Sequence, residues 1–129
     1  PRSPRDRAVC LEWCFFVISE LDATSLYVMR RHGDLKHIYG DAPTANVAAR
    51  DYFAAQMRSV DRALEDGRGF ITGVRFTAAD IILSTCLSWA VRYGVPVSEA
   101  AAAYNSRLTA RPAFMRAAEQ NRAPEETAS

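Results

Sequence analysis

The sequence predicts an all-α chain, a bundle of about five helices. Three observations lead there. Apolar residues recur at three- and four-residue steps along most of the chain, no stretch alternates with period two for long, and Pro, Ser, Thr and Gly divide the chain into capped segments. Twenty-two alanines add to the helical preference. At 129 residues, 49% hydrophobic and 24% charged, the chain has the size and balance of one domain.

Pro1 to Pro4 read as a linker, and Pro4, with its fixed φ, suits a helix start. The first helix is expected from Arg5 to about Arg31, with a stripe of Leu11, Cys14, Ile18, Leu21, Ser25 and Val28. Gly33 supplies its stop, and at about 1.5 Å per residue the helix would be about 40 Å long. His32 to Ala42 read as a loop. Pro43-Thr44 opens a second helix to about Asp66, with core residues Phe53, Met57, Val60 and Leu64, ended by Gly67 and Gly69. The turn Phe70-Ile71-Thr72-Gly73 follows.

The strongest start signal is Thr77-Ala78-Ala79-Asp80, an N-cap Thr with an acidic residue at N3. This is a capping box with Asp in place of Glu, flanked by Phe76 and Ile81 at the positions of a hydrophobic staple. Ile81, Ile82, Leu83, Cys86, Leu87, Trp89 and Ala90 make the following helix apolar nearly all round, so it is expected to be the buried central one. Gly94 and Pro96 end it. Ser98 caps a helix through about Ala110, and Arg111-Pro112 starts a last short one with Phe114, Met115 and Ala118. Residues 121–129 are polar and are expected to form a disordered tail.

Several function classes are disfavoured. A net charge of +1 argues against a nucleic-acid partner, which normally meets a basic face. No apolar run reaches about 18 residues, so no membrane partner is expected, and the start does not resemble a signal peptide. Three cysteines point to a reducing compartment, hence the cytoplasm. Cys10 and Cys14 lie one helical turn apart, but His32, His37 and Cys86 do not complete a four-ligand set, so no metal is expected. Gly67-Arg68-Gly69 reads as a turn, not a phosphate loop. The chain starts at Pro1 without methionine, which suggests a piece of a longer protein.

Phe70-Ile71-Thr72-Gly73 followed by Arg75-Phe76-Thr77-Ala78-Ala79-Asp80-Ile81 resembles the turn and buried helix start of the glutathione S-transferase C-terminal helical domain. Arg7-Ala8, Leu11-Glu12-Trp13 and Ser19-Glu20-Leu21 are similar to the first helix of that domain in bacterial, beta-like enzymes, and Arg111-Pro112 with Phe114 matches the start of a late helix. The resemblance divides the chain into a linker at 1–4 from a thioredoxin-like domain, a helical domain at 5–120 and the tail at 121–129. It implies glutathione as co-substrate, a small electrophilic substrate and a homodimer. The residue that activates the thiol would lie in the thioredoxin-like domain, so no catalytic residue is assigned here and the chain alone is expected to be inactive.

Phe15, Ser19, Asp22 and Leu26 fall on one face of the predicted first helix, at spacings of four, three and four. They could wall an apolar pocket with one polar anchor. The resemblance puts Phe15 and Asp22 at two ligand-contacting positions that usually carry Asn and His, and it puts Trp89 at the edge of the substrate cleft. Asp80 reads either as a general acid or base or as a capping carboxylate, and capping accounts for Thr77 as well. The alternative to a transferase domain is a non-catalytic, transferase-like protein-interaction module, and a third reading is a stand-alone ligand-binding protein.

Overall fold

The structure, a computed structural model, describes residues 3–122; most of the expected tail lies outside the described residues. The first helical body runs without a break through three registers: α1 (Pro4–Phe16), a π-helical segment (Val17–Leu26) and α2 (Tyr27–His32). Ser3 caps it, its side chain accepting from the Asp6 N–H at 3.0 Å, and Pro4 takes the first turn, where its missing N–H costs nothing. The turn α3 (Lys36–Tyr39) follows, then α4 (Pro43–Leu64), α5 (Ala78–Arg92), α6 (Glu99–Thr109) and α7 (Pro112–Gln120). No strand forms among the described residues; Phe70 and Gly73 make one isolated antiparallel bridge. The expected all-α bundle therefore stands, with α3 as an added turn inside the segment expected to be a loop.

The π segment changes the face that the first body presents. Its hydrogen bonds span five residues: the Tyr27 N–H donates to the Asp22 carbonyl, and the Thr24 and Ser25 hydroxyls donate to the Ser19 and Glu20 carbonyls at 2.7 and 3.0 Å. Each turn therefore holds more residues than the roughly 3.6 of an α-helix. Within the segment Val17, Leu21, Ser25 and Leu26 are buried, and Cys10 of α1 and Met29 of α2 are the buried residues on either side of it. Of the expected stripe, Leu21 and Ser25 are buried, Cys14 and Val28 are half-buried, and Leu11 and Ile18 are exposed.

The body packs along both α4 and α5, α6 lies against α5 and α4, and α7 against α6. From α4 come Ala49, Phe53, Met57, Val60 and Leu64, which include all four core residues expected of that helix. The turn after α4 is short because Gly67 and Gly73 adopt φ of 72° and 117°, a region that favours glycine. It tucks Ile71 completely into the core. α5 contributes Ala79, Leu83, Cys86, Leu87 and Ala90, and α6 contributes Ala101, Tyr104 and Leu108.

One expectation about α5 needs correction. The helix is not buried all round: Ile81 is 55% exposed and Val91 is exposed as well. Phe76 makes an edge-on contact with Phe70, ring centroids 5.7 Å apart, and lies under the Arg111 guanidinium at 3.8 Å. The outer face of α5 is left open beside α7, which packs on α6 and has no buried residue of its own.

Candidate functional site

The first helical body and α5 run side by side in the same direction. Cys14 lies within the field of the Asp80 carboxylate at the start of α5, Cys86 within that of Asp22 midway, and the Arg30 guanidinium stacks on Trp89 near the end. The seam between them has a sealed end and an open end.

Asp80 forms the sealed end. It is completely buried, and both carboxylate oxygens are fully used. Oδ2 accepts from the Thr77 N–H at 2.7 Å and the Thr77 hydroxyl at 3.0 Å; Oδ1 accepts from the Ile71 N–H at 2.8 Å and the Tyr104 hydroxyl at 2.6 Å. The capping box thus forms, and the same carboxylate ties the 70–73 turn and α6 to α5. Burial, then the neighbouring carboxylate, pushes the Tyr104 phenol far above its usual range, so it remains a donor. A carboxylate with four donors and no access to solvent is a structural fixture with no free lone pair for substrate.

Midway, Asp22 is half-buried and desolvation raises its carboxyl pKa. Cys86 beside it is buried, and burial together with the Asp22 charge pushes its thiol up to about 12. Burial and the adjacent Cys10 also raise Cys14. A thiol nucleophile needs a lowered pKa, so neither Cys86 nor Cys14 suits that role.

At the open end, Arg30, Asp34, Trp89, Arg92 and Tyr93 line a shallow cavity of about 100 Å³. The Arg30 guanidinium sits 5.2 Å from the centre of the half-buried Trp89 ring. Trp89 meets Tyr93 edge-on, with centroids 5.9 Å apart and planes at 78°. The Tyr93 hydroxyl donates to Asp34 Oδ2 at 3.1 Å; burial and Asp34 raise its pKa, against the opposing charges of Arg30 and Arg92. Arg50 fixes this end of α5 by donating to the Tyr93 carbonyl at 2.9 Å. The arrangement offers an aromatic face with two guanidinium groups around it.

The five expected pocket residues are dispersed. Phe15, 66% exposed, and Ser19 face outward, Asp22 lies on the seam, Leu26, 1% exposed, is in the core, and Trp89 lines the open-end cavity. The single face expected of Phe15, Ser19, Asp22 and Leu26 does not form, because the π register turns Leu26 inward. Arg92, Tyr93 and Asp34 were not picked out by sequence reasoning, although an aromatic pair four residues apart on α5, Trp89 and Tyr93, was a usable signal. Among the described residues no three His, Cys, Asp or Glu side chains are grouped to hold a metal, and no helix is long and apolar enough to cross a membrane.

A family model for the glutathione S-transferase C-terminal domain matches residues 29–117. No curated relative matches the chain. Among solved structures, the fold is similar to that of a glutathione S-transferase domain-containing protein from Marinobacter aquaeolei VT8, at a TM-score of 0.73 and 24% identity over 88% of this chain. The chain spans 58% of the length of that protein.

Proposed function

Because this chain belongs to the glutathione S-transferase C-terminal domain family, we propose that it is the helical domain of a glutathione transferase, walling the electrophile pocket and supplying dimer surface. In this reading a thioredoxin-like domain outside this sequence binds glutathione and lowers its thiol pKa, so that the thiolate attacks a small electrophile held against this domain. Glutathione is the co-substrate, and the setting is cytoplasmic. The observation that carries the reading is the open end of the seam, where Trp89 presents an aromatic face steadied by Arg30 and Tyr93. A flat acceptor stacks there, with Arg30, Arg92 and Asp34 setting the polarity around it. In this reading thiol activation belongs to the thioredoxin-like domain, and the raised thiols of Cys14 and Cys86 do not serve as nucleophiles.

The test compares the 129-residue chain with the same chain joined to a thioredoxin-like domain, using glutathione and an aryl halide. Turnover is expected only in the joined protein. Trp89→Ala there should raise KM for the aryl halide and leave KM for glutathione unchanged. Turnover by the 129-residue chain alone would overturn the assignment. An inactive joined protein would favour a non-catalytic interaction module, which the exposed apolar row of Leu11, Phe15 and Ile18 on the first body would serve.

A further inference from the structure

The outer side of α5 holds a second cavity, at the opposite end of the helix from Trp89. It measures about 200 Å³ and lies between α5, α6 and α7, walled by Phe76, Ile81, Leu108, Ala113, Phe114 and Ala117. Its walls are almost wholly apolar, and the polar groups that reach them are already engaged. Asp80 has four donors, the Ser84 hydroxyl donates to Asn105 Oδ1 at 2.8 Å, and the Thr85 hydroxyl donates to the Ile81 carbonyl at 3.0 Å. Water entering here would find few partners, whereas a hydrocarbon would lose none. An apolar cavity of roughly 150 Å³ holds a benzene ring, so about 200 Å³ accommodates a ring with a short chain.

Arg111 is the exception among the lining residues. Its guanidinium stacks over Phe76 at 3.8 Å and has no ion-pair partner among the described residues. It therefore places a guanidinium outside any ion pair at the edge of an apolar cavity. α7, which forms one wall, carries no buried residue, so Phe114 has room to adjust to a guest. We propose that this cavity binds a small monocarboxylic acid with a ring-sized apolar body, its body between Ile81, Leu108 and Phe114 and its carboxylate on Arg111. The engaged lone pairs of Asp80 leave that carboxylate no role in holding the ligand, and its charge steers the acid group outward to Arg111. The site does not depend on glutathione or on the Trp89 cleft.

The test titrates the 129-residue chain with 3-phenylpropionate and with its neutral counterpart, 3-phenylpropan-1-ol, following amide shifts and the dissociation constant. Saturable shifts are expected at Ile81, Thr85, Leu108 and Phe114. Arg111→Met should weaken the acid about tenfold or more, the worth of a charge-assisted contact, and leave the alcohol unchanged. Ala117→Phe, on the exposed helix α7, should fill the cavity and abolish binding of both; it decides the matter if Arg111→Met fails to fold. No saturable shift, shifts mapping elsewhere, equal acid affinity in Arg111→Met, or undiminished binding in Ala117→Phe would each overturn the proposal.

Discussion

The two ends of α5 are held in opposite ways. At its start a single buried carboxylate gathers four donors from Thr77, Ile71 and Tyr104, and nothing polar is left over. At its end Trp89 and Tyr93 meet Arg30, Asp34 and Arg92 through stacking and one exposed hydrogen bond, around an open cavity. A fully satisfied buried network fixes geometry and leaves nothing for a ligand, whereas an open set of aromatic and charged groups keeps its binding capacity. A carboxylate's burial is thus no sign of a reactive role when its donors are already in place.

The comparison breaks first at Asp80. Replacing it with Ala leaves the Thr77 and Ile71 amides and the Tyr104 hydroxyl without their buried acceptor, and a loss of about 3–5 kcal/mol is expected in urea unfolding. If Asp80→Ala cost less than about 1 kcal/mol, the carboxylate would not be the anchor. Tyr104→Phe removes one of the four donors and keeps the ring, so about 1.5–3 kcal/mol is expected for a hydrogen bond to a charged group. Trp89→Ala, by contrast, should act chiefly on ligand affinity.

These ends were also unequally legible in the sequence. Thr77-Ala78-Ala79-Asp80 declares its cap because a capping box is a local rule acting within one turn. The further partners of Asp80 lie nine and 24 residues away, at Ile71 and Tyr104, and no local pattern joins them. α4 was legible because its apolar residues keep the α-helical period to the end. The first body is less legible because its α-helical period does not hold through Val17–Leu26, where the hydrogen bonds span five residues. Only the adjacent Thr24 and Ser25, whose hydroxyls reach carbonyls five residues back, hint at the wider register.

Cys86 sharpens the contrast along the seam, since it is buried between the two ends. Below about pH 9 its thiol is protonated in both the folded and unfolded chain. Above that the unfolded chain releases the proton while the folded one retains it up to about 12. Folding stability carried by this group is therefore present below pH 9 and is lost as pH rises from about 9 to about 12. Urea midpoints measured from pH 8 to pH 11 should fall more steeply for the parent than for Cys86→Ala. Equal slopes would mean that water reaches the thiol.

The smallest effect tests the register itself. On an unbroken α-helix Phe15 and Leu26 would share a face, and truncating either would have a similar consequence. In the π register Leu26 enters the core and Phe15 stays outside. Leu26→Ala should then cost about 2–5 kcal/mol, the range for a buried Leu. Phe15→Ala should stay within about 0.5 kcal/mol, as exposed substitutions do. Thermal or urea unfolding of the two variants decides it, and comparable losses would restore the single face and with it the shared pocket wall of Phe15, Ser19, Asp22 and Leu26. A neutral Phe15→Ala paired with a costly Leu26→Ala would leave Phe15 free to meet a partner domain or subunit, because a side chain so exposed contributes to what docks on it more than to the fold that carries it.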